Sequence, residues 1–203
     1  MWKTKAMTGL KSKEGDREMA GRDGIGVLTE NVRDLVGAIV DGKLEARADV
    51  EGVDEAYRPV LEGINELIEV FVRPINVTAE YVDRISKGDI PDKIADEYRG
   101  DFNEIKNNLN GLIDALNGLV GEAERMKEAA AAGELDTRAD VSRYHGAWAA
   151  IVQGLNETAE GMVVPMRDIG GVLDRMAAGD LKARVTNDYK GDYNVLKVAC
   201  NEL

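Results

Sequence analysis

Apolar residues recur every three or four positions over long stretches of this chain, the pattern of helices that pack through a shared seam. From Ile105 the series runs Leu109, Leu112, Leu116, Leu119, Ala123, Met126 and Ala130 in unbroken 4-3 alternation. The same phase gives Val60, Ile64, Leu67, Phe71, Pro74, Thr78, Tyr81 and Ile85, with two breaks. It also gives Ile151, Leu155, Thr158, Met162, Pro165, Ile169, Val172 and Met176. Leu28, Val32, Leu35 and Ile39 fit a shorter helix before these, and Leu196 lies in one after them. The spacing therefore predicts an all-α chain whose three central helices are about 30 residues and about 45 Å long. Pro74 and Pro165 fall inside two of them, where proline kinks or breaks a helix; the pattern favours kinks.

The polar segments between these helices repeat. Gly42-Lys43-Leu44, Gly88-Asp89-Ile90, Gly133-Glu134-Leu135 and Gly179-Asp180-Leu181 recur at spacings of 46, 45 and 46 residues. An asparagine follows each, at Asn65, Asn110, Asn156 and Asn201. Alternate copies match best: between 42–65 and 133–156, nine of 24 positions are identical, where ordinary composition gives about one or two. The chain is an array of two kinds of unit in the order A-B-A-B. The four glycines read as helix stops, since glycine takes the left-handed conformation at low cost.

About a dozen residues follow each glycine before the next helix, more than a tight helical hairpin needs. Such a connector can climb back beside the first helix, so that the second runs parallel to it. Its apolar residues would pin it there: Leu44 and Val50, Ile90 and Ile94, Leu135 and Val141, Leu181 and Val185. Two helices with narrow apolar stripes cannot enclose a core, whereas a parallel homodimer supplies four. The expected dimer core is Leu28, Val32, Leu35, Ile39, Val60, Ile64, Leu67, Phe71, Ile85, Ile105, Leu109, Leu112, Leu116, Leu119, Met126, Ile151, Leu155, Met162, Ile169, Val172, Met176 and Leu196.

Composition narrows the function more than the fold. Asp+Glu outnumber Lys+Arg by 38 to 26, a net charge of -12, so nucleic acid is not an expected partner. No run approaches the 18 or more apolar residues of a membrane span, and the charged start reads as no secretory signal. The one cysteine, Cys200, excludes an internal disulfide and fits a reducing, cytoplasmic setting. It falls in an apolar position and reads as a small core residue. Residues 1–23 show no sustained period and read as a flexible or linking segment. Leu203 falls within a helical pattern, as in a fragment of a longer protein.

Candidate chemistry is sparse. His145, the only histidine, reads as a surface residue. Tyr57, Tyr98, Trp148 and Tyr189 stand at helix starts and read as packing residues. No phosphate loop, metal-ligand spacing or nucleophile-base pair is present, so neither a catalytic site, a cofactor nor a small-molecule ligand is expected. Asp101 and Asp192 are either helix caps or contacts to the preceding connector.

These motifs resemble the HAMP signalling domain of bacterial and archaeal transducers. In that family a first helix starts near a proline and ends at Gly-Asp-Leu. A connector with two apolar residues follows, and the second helix opens with an acidic residue. Pro74, Gly88-Asp89-Ile90, Ile94, Asp101-Phe102 and Asn110 follow the pattern, as do Pro165, Gly179-Asp180-Leu181, Val185, Asp192-Tyr193 and Asn201. Aspartate stands at 101 and 192 where the family usually has glutamate, and the A units lack the proline. The resemblance implies four units at 24–72, 73–117, 118–163 and 164–203, the first and third divergent and the last truncated. It implies parallel four-helix coiled-coil bundles of a homodimer, stacked into an elongated rod. The implied function is signal relay in a methyl-accepting chemotaxis receptor, between upstream sensory and downstream signalling domains and, indirectly, a histidine kinase and its adaptor. A relay segment of a hybrid sensor histidine kinase is the alternative, and a static helical spacer fits worst.

Overall fold

The computed structural model describes residues 24–203; the segment 1–23 lies outside the described residues. Five α-helices and no strand occur among the described residues: 24–40 (α1), Arg58–Ser86 (α2), Gly100–Ala132 (α3), Gly146–Ala177 (α4) and Asp192–Glu202 (α5). The chain is all-α, and the central helices have 29, 33 and 32 residues. Pro74 and Pro165 lie inside α2 and α4, and neither ends its helix. The Thr78 hydroxyl donates to the Pro74 carbonyl at 2.8 Å, one turn on.

Each of the four connectors begins with the same helix stop. The glycine takes a left-handed φ, from +79° at Gly133 to +100° at Gly179. Two backbone bonds then close the last turn. Lys43 N–H donates to Ala38 O and Gly42 N–H to Ile39 O, both at 2.9 Å. Asp89 to Arg84, Glu134 to Ala129 and Asp180 to Arg175 repeat the longer bond at 2.8–3.0 Å. These bonds claim carbonyls that the helix end would otherwise leave without partners.

The described residues divide into two compact bodies: 24–89 with Glu97–Lys106, and Ile90–Asp96 with Asn107–Leu203. In the first, a Cβ on Gly24 would lie 2.8 Å from the Tyr57 ring. The end of the connector thus sits beside the start of α1, and α2 leaves parallel to α1. Leu35, Ala48, Val53 and Leu61 form the core there, flanked by Leu28, Val32, Ile39 and Tyr57. In the second body Tyr144 reaches back to Gly118, so the later half of α3 and the start of α4 are parallel. Its two clusters are Ala139, Tyr144 and Val152, with Trp148 against them, and Val172, Ala183, Val185 and Cys200, with Tyr189 against them. Three aromatics at helix starts are therefore packing groups, and Cys200 is buried and free.

Candidate functional site

An extended connector has no neighbouring strand, so its buried N–H and C=O groups need other partners. In all four units one asparagine supplies both. Ala48 N–H donates to Asn65 Oδ1 at 2.8 Å, and Asn65 Nδ2 donates to Ala48 O at 3.0 Å. Asn110 clamps Ile94 at 2.8 and 3.1 Å, Asn156 clamps Ala139 at 2.8 and 2.9 Å, and Asn201 clamps Val185 at 2.7 and 3.1 Å. A primary amide has the donor and acceptor of a peptide side by side, so it completes the backbone as a strand would. The clamped residue is always the sixth after the glycine, and it is buried in every unit.

Further ties differ between units. Arg47, Arg138 and Arg184, five residues after their glycines, each donate through one guanidinium nitrogen to two connector carbonyls at 2.7–3.0 Å. Arg47 and Arg138 also pair with Glu69 and Glu160 on the following helix. From the preceding helix, eleven residues before the glycine, Asn31 binds Asp49 N–H and C=O at 3.1 and 3.3 Å. At that same position Glu122, only 7% exposed, faces Arg125 and Arg143, and Asp168 accepts from Tyr189 and Asn187. In the A units the connector also reaches two residues past the proline: Glu45 meets Asn76, and Asp136 meets Arg167.

Several polar groups titrate off their ordinary values. The hydrogen bond from Tyr189, then that from Asn187, holds the Asp168 carboxyl below the usual carboxylate range. Arg84, Arg175 and Arg167 do the same for Asp89, Asp180 and Asp136 through direct hydrogen bonds.

The structure separates the connector residues singled out by sequence. Ile94 and Val185 are buried, at 8% and 3% exposure. Ile90, Leu44, Val50, Leu135 and Val141 are half-buried, and Leu181 is 71% exposed, which corrects its reading as an anchor. Leu181 stands at the corner of a turn that Ala183 N–H closes on Asp180 O at 3.1 Å. Leu44 and Leu135 stand at the same corner, closed by Ala46 to Lys43 and Thr137 to Glu134. The buried connector residues of the A units are instead Ala48 with Val53 and Ala139 with Tyr144. Asp101 and Asp192 lie in the first turns of α3 and α5. The cap of α5 is Gly191, without a side-chain bond, so Asp192 does not cap it. His145 precedes α4, exposed and without a capping bond.

The seam residues also divide. On the helices before connectors, Leu35 and Val172 are buried, and Leu28, Val32, Ile39, Ile85, Leu116, Leu119, Met126, Ile169 and Met176 are half-buried. On the helices after connectors, Leu109 is buried, Ile64, Leu112 and Leu155 are half-buried, and Val60, Leu67, Phe71, Ile105, Ile151, Met162 and Leu196 are exposed. The fully enclosed side chains, Leu61, Ile113 and Val152, stand one position beyond the seam. At Leu61 and Val152 connector residues cover that adjacent face, which the seam periodicity passes over. Lys106, outside the seam, is half-buried. Met126, Leu135, Leu155, Met162 and Met166 line an open apolar groove. No helix among the described residues is long and apolar enough to cross a membrane.

Sequence reasoning used the four asparagines as landmarks and gave them no role. Their recurrence 22 or 23 residues after each glycine, where neighbouring positions vary, was the available signal. Comparison with known proteins bears on the same segments. The HAMP domain profile matches residues 53–118 and 143–203. The methyl-accepting chemotaxis protein McpB of Pseudomonas aeruginosa is 30% identical over 81 residues, 40% of this chain. The matched stretch spans 12% of that protein's length.

Proposed function

The chain belongs to the HAMP domain family, and from that premise we propose that it is a signal-relay array of four such units from a chemoreceptor. The units are 24–72, 73–117, 118–163 and 164–203. The observation that carries the reading is helix continuity between connectors. One uninterrupted helix, α2, carries Asn65, which holds the first connector, and ends at the turn that starts the second. Likewise α4 carries Asn156 and runs to the turn before Gly179. A rotation or tilt imposed at one connector is thereby imposed on the start of the next.

Relay of this kind needs a partner for the exposed seam. Val60, Phe71, Ile151 and Met162 are each about half exposed in one chain, and burying such a side chain is worth about 1.5–3 kcal/mol. A second copy of the chain in parallel register would cover them and fill the groove at Met126, Leu155 and Met162. The proposed input is an upstream sensory domain. The proposed output is a downstream domain that governs a histidine kinase through its adaptor. The relay moves helices and performs no chemistry.

The test is a receptor carrying this array with residues deleted from α3. Removing Asn117 turns everything downstream by about 100°, whereas removing 111–117 restores the phase. With helicity retained in both, the single deletion should invert, lock or abolish the stimulus response, and the heptad deletion should keep its sign. A normal response after the single deletion would overturn the relay.

A further inference from the structure

Charged side chains stay at the surface unless a partner offsets the loss of water. Among the described residues the fold buries one, Glu122 on α3, at 7% exposure. Its Oε2 accepts from Arg125 Nη2 at 2.6 Å and from Arg125 Nε at 3.2 Å. Its Oε1 lies 3.7 Å from Arg143 Nη1. Arg125 Nη2 also donates to the Arg138 carbonyl at 2.6 Å. A single turn of α3 therefore grips the third connector at two points: the backbone of Arg138, and the side chain of Arg143 at the end of the short turn Val141–Arg143. From the other side α4 holds the same connector, through Asn156 on Ala139 and Glu160 on Arg138. Asn31 and Asp168 stand at the position of Glu122 in the first and fourth units, and both are only half-buried.

A buried ion pair adds little net stability, because desolvation offsets its attraction; what it supplies is direction. Glu122 interrupts an apolar face. It lies three residues after Leu119 and four before Met126, beside the seam residue Ala123. An apolar side chain at 122 would therefore widen the stripe. Apolar contact is non-directional, so a widened stripe can be buried at more than one rotation of the helix. The carboxylate forbids this. Turning α3 so that position 122 enters the seam strips it of both guanidinium groups and leaves an unpaired charge among apolar side chains. We propose that Glu122 is a positioning residue that fixes the rotation of α3 against the third connector, acting through Arg125 and Arg143. Its part in signalling rests on the relay reading; the rotational setting does not.

Electron-spin distance measurement on the full 203-residue chain tests it. Nitroxide labels on ketone-bearing residues introduced at Lys127 and Ala150, both exposed, leave Cys200 untouched. Dilution with unlabelled chain confines the reading to pairs within one molecule. Rotating a helix by about 30° moves a group on its surface by about 3 Å. The native chain should give one narrow distance peak. Glu122→Leu should broaden or split that peak by about 3 Å or more, with the midpoint of chemical denaturation no lower than in the native chain. A merely structural role would lower the midpoint and leave the peak single. A broad native peak would overturn the proposal, and so would an unchanged peak in the variant. Glu122→Gln keeps the shape, loses the charge and is read by the same peak, which secures the test if the leucine variant does not fold. The measurement needs no signalling partner, so its failure leaves the relay standing, and a failed deletion test leaves this result untouched.

Discussion

The first and third units bury their connectors differently from the second and fourth, although the asparagine clamp is the same. In the first pair the clamped residue is small, Ala48 or Ala139, and it shares a cluster with a completely enclosed aliphatic, Leu61 or Val152. In the second pair the clamped residue is large, Ile94 or Val185, and the position four before the asparagine is Lys106 or Lys197. Lys197 reaches the connector instead of filling it, donating to Asn187 O at 2.7 Å. Volume has moved from helix to connector, and a charge has taken its place. One backbone arrangement thus accepts two opposite distributions of bulk, because the clamp addresses main chain and ignores side-chain size.

The largest expected effect exchanges the two designs. Leu61→Lys puts an ammonium where a fully enclosed leucine was and should destabilise the first unit by about 3–5 kcal/mol in chemical denaturation. The reverse change, Lys197→Leu, should stay within about 1 kcal/mol, since its ammonium lies at the connector edge. A tolerated Leu61→Lys would erase the distinction. Next comes the shared element. Asn65→Ala and Asn110→Ala should each cost about 1–3 kcal/mol, because each leaves a buried donor and acceptor unsatisfied. A loss confined to one pair of units would mean that the clamp is redundant in the other.

Smaller effects come from the exposed ties. Arg138→Lys keeps the charge and loses the fork, for about 0.5–1 kcal/mol, and added salt should shrink the difference. Smallest is a pH dependence from the position eleven before the glycine in the fourth unit. Asp168 titrates below its unfolded value, so its contribution is present above about pH 4 and disappears as pH falls through the folded pKa. Asp168→Asn should flatten acid unfolding of residues 164–203 as followed by hydrogen exchange. The first unit has Asn31 at that position and should lack this component.

The helices and their glycine ends were legible because both are local: a period of three to four, then a residue free to turn left-handed. The connectors were not, because they are neither helix nor strand and no period governs them. Leu181 looked like an anchor by hydrophobicity, yet it is 71% exposed at the corner of a turn. Ala183 at 1% exposure was passed over for its size. The asparagines bind main chain, so no complementary side chain in the sequence announced their partners.

The four connector glycines carry one more consequence, a matter of chirality. At Gly42, Gly88, Gly133 and Gly179 a Cβ would meet nothing within 4 Å, yet φ lies between +79° and +100°. The space would admit a methyl group; only the handedness of an L-residue forbids it, at about 1–2 kcal/mol. The mirror-image residue is at ease in that conformation, and it narrows the unfolded chain as any added side chain does. A semisynthetic chain with D-alanine at these four sites would therefore keep every helix end and gain stability, although no ribosomal sequence can spell that improvement.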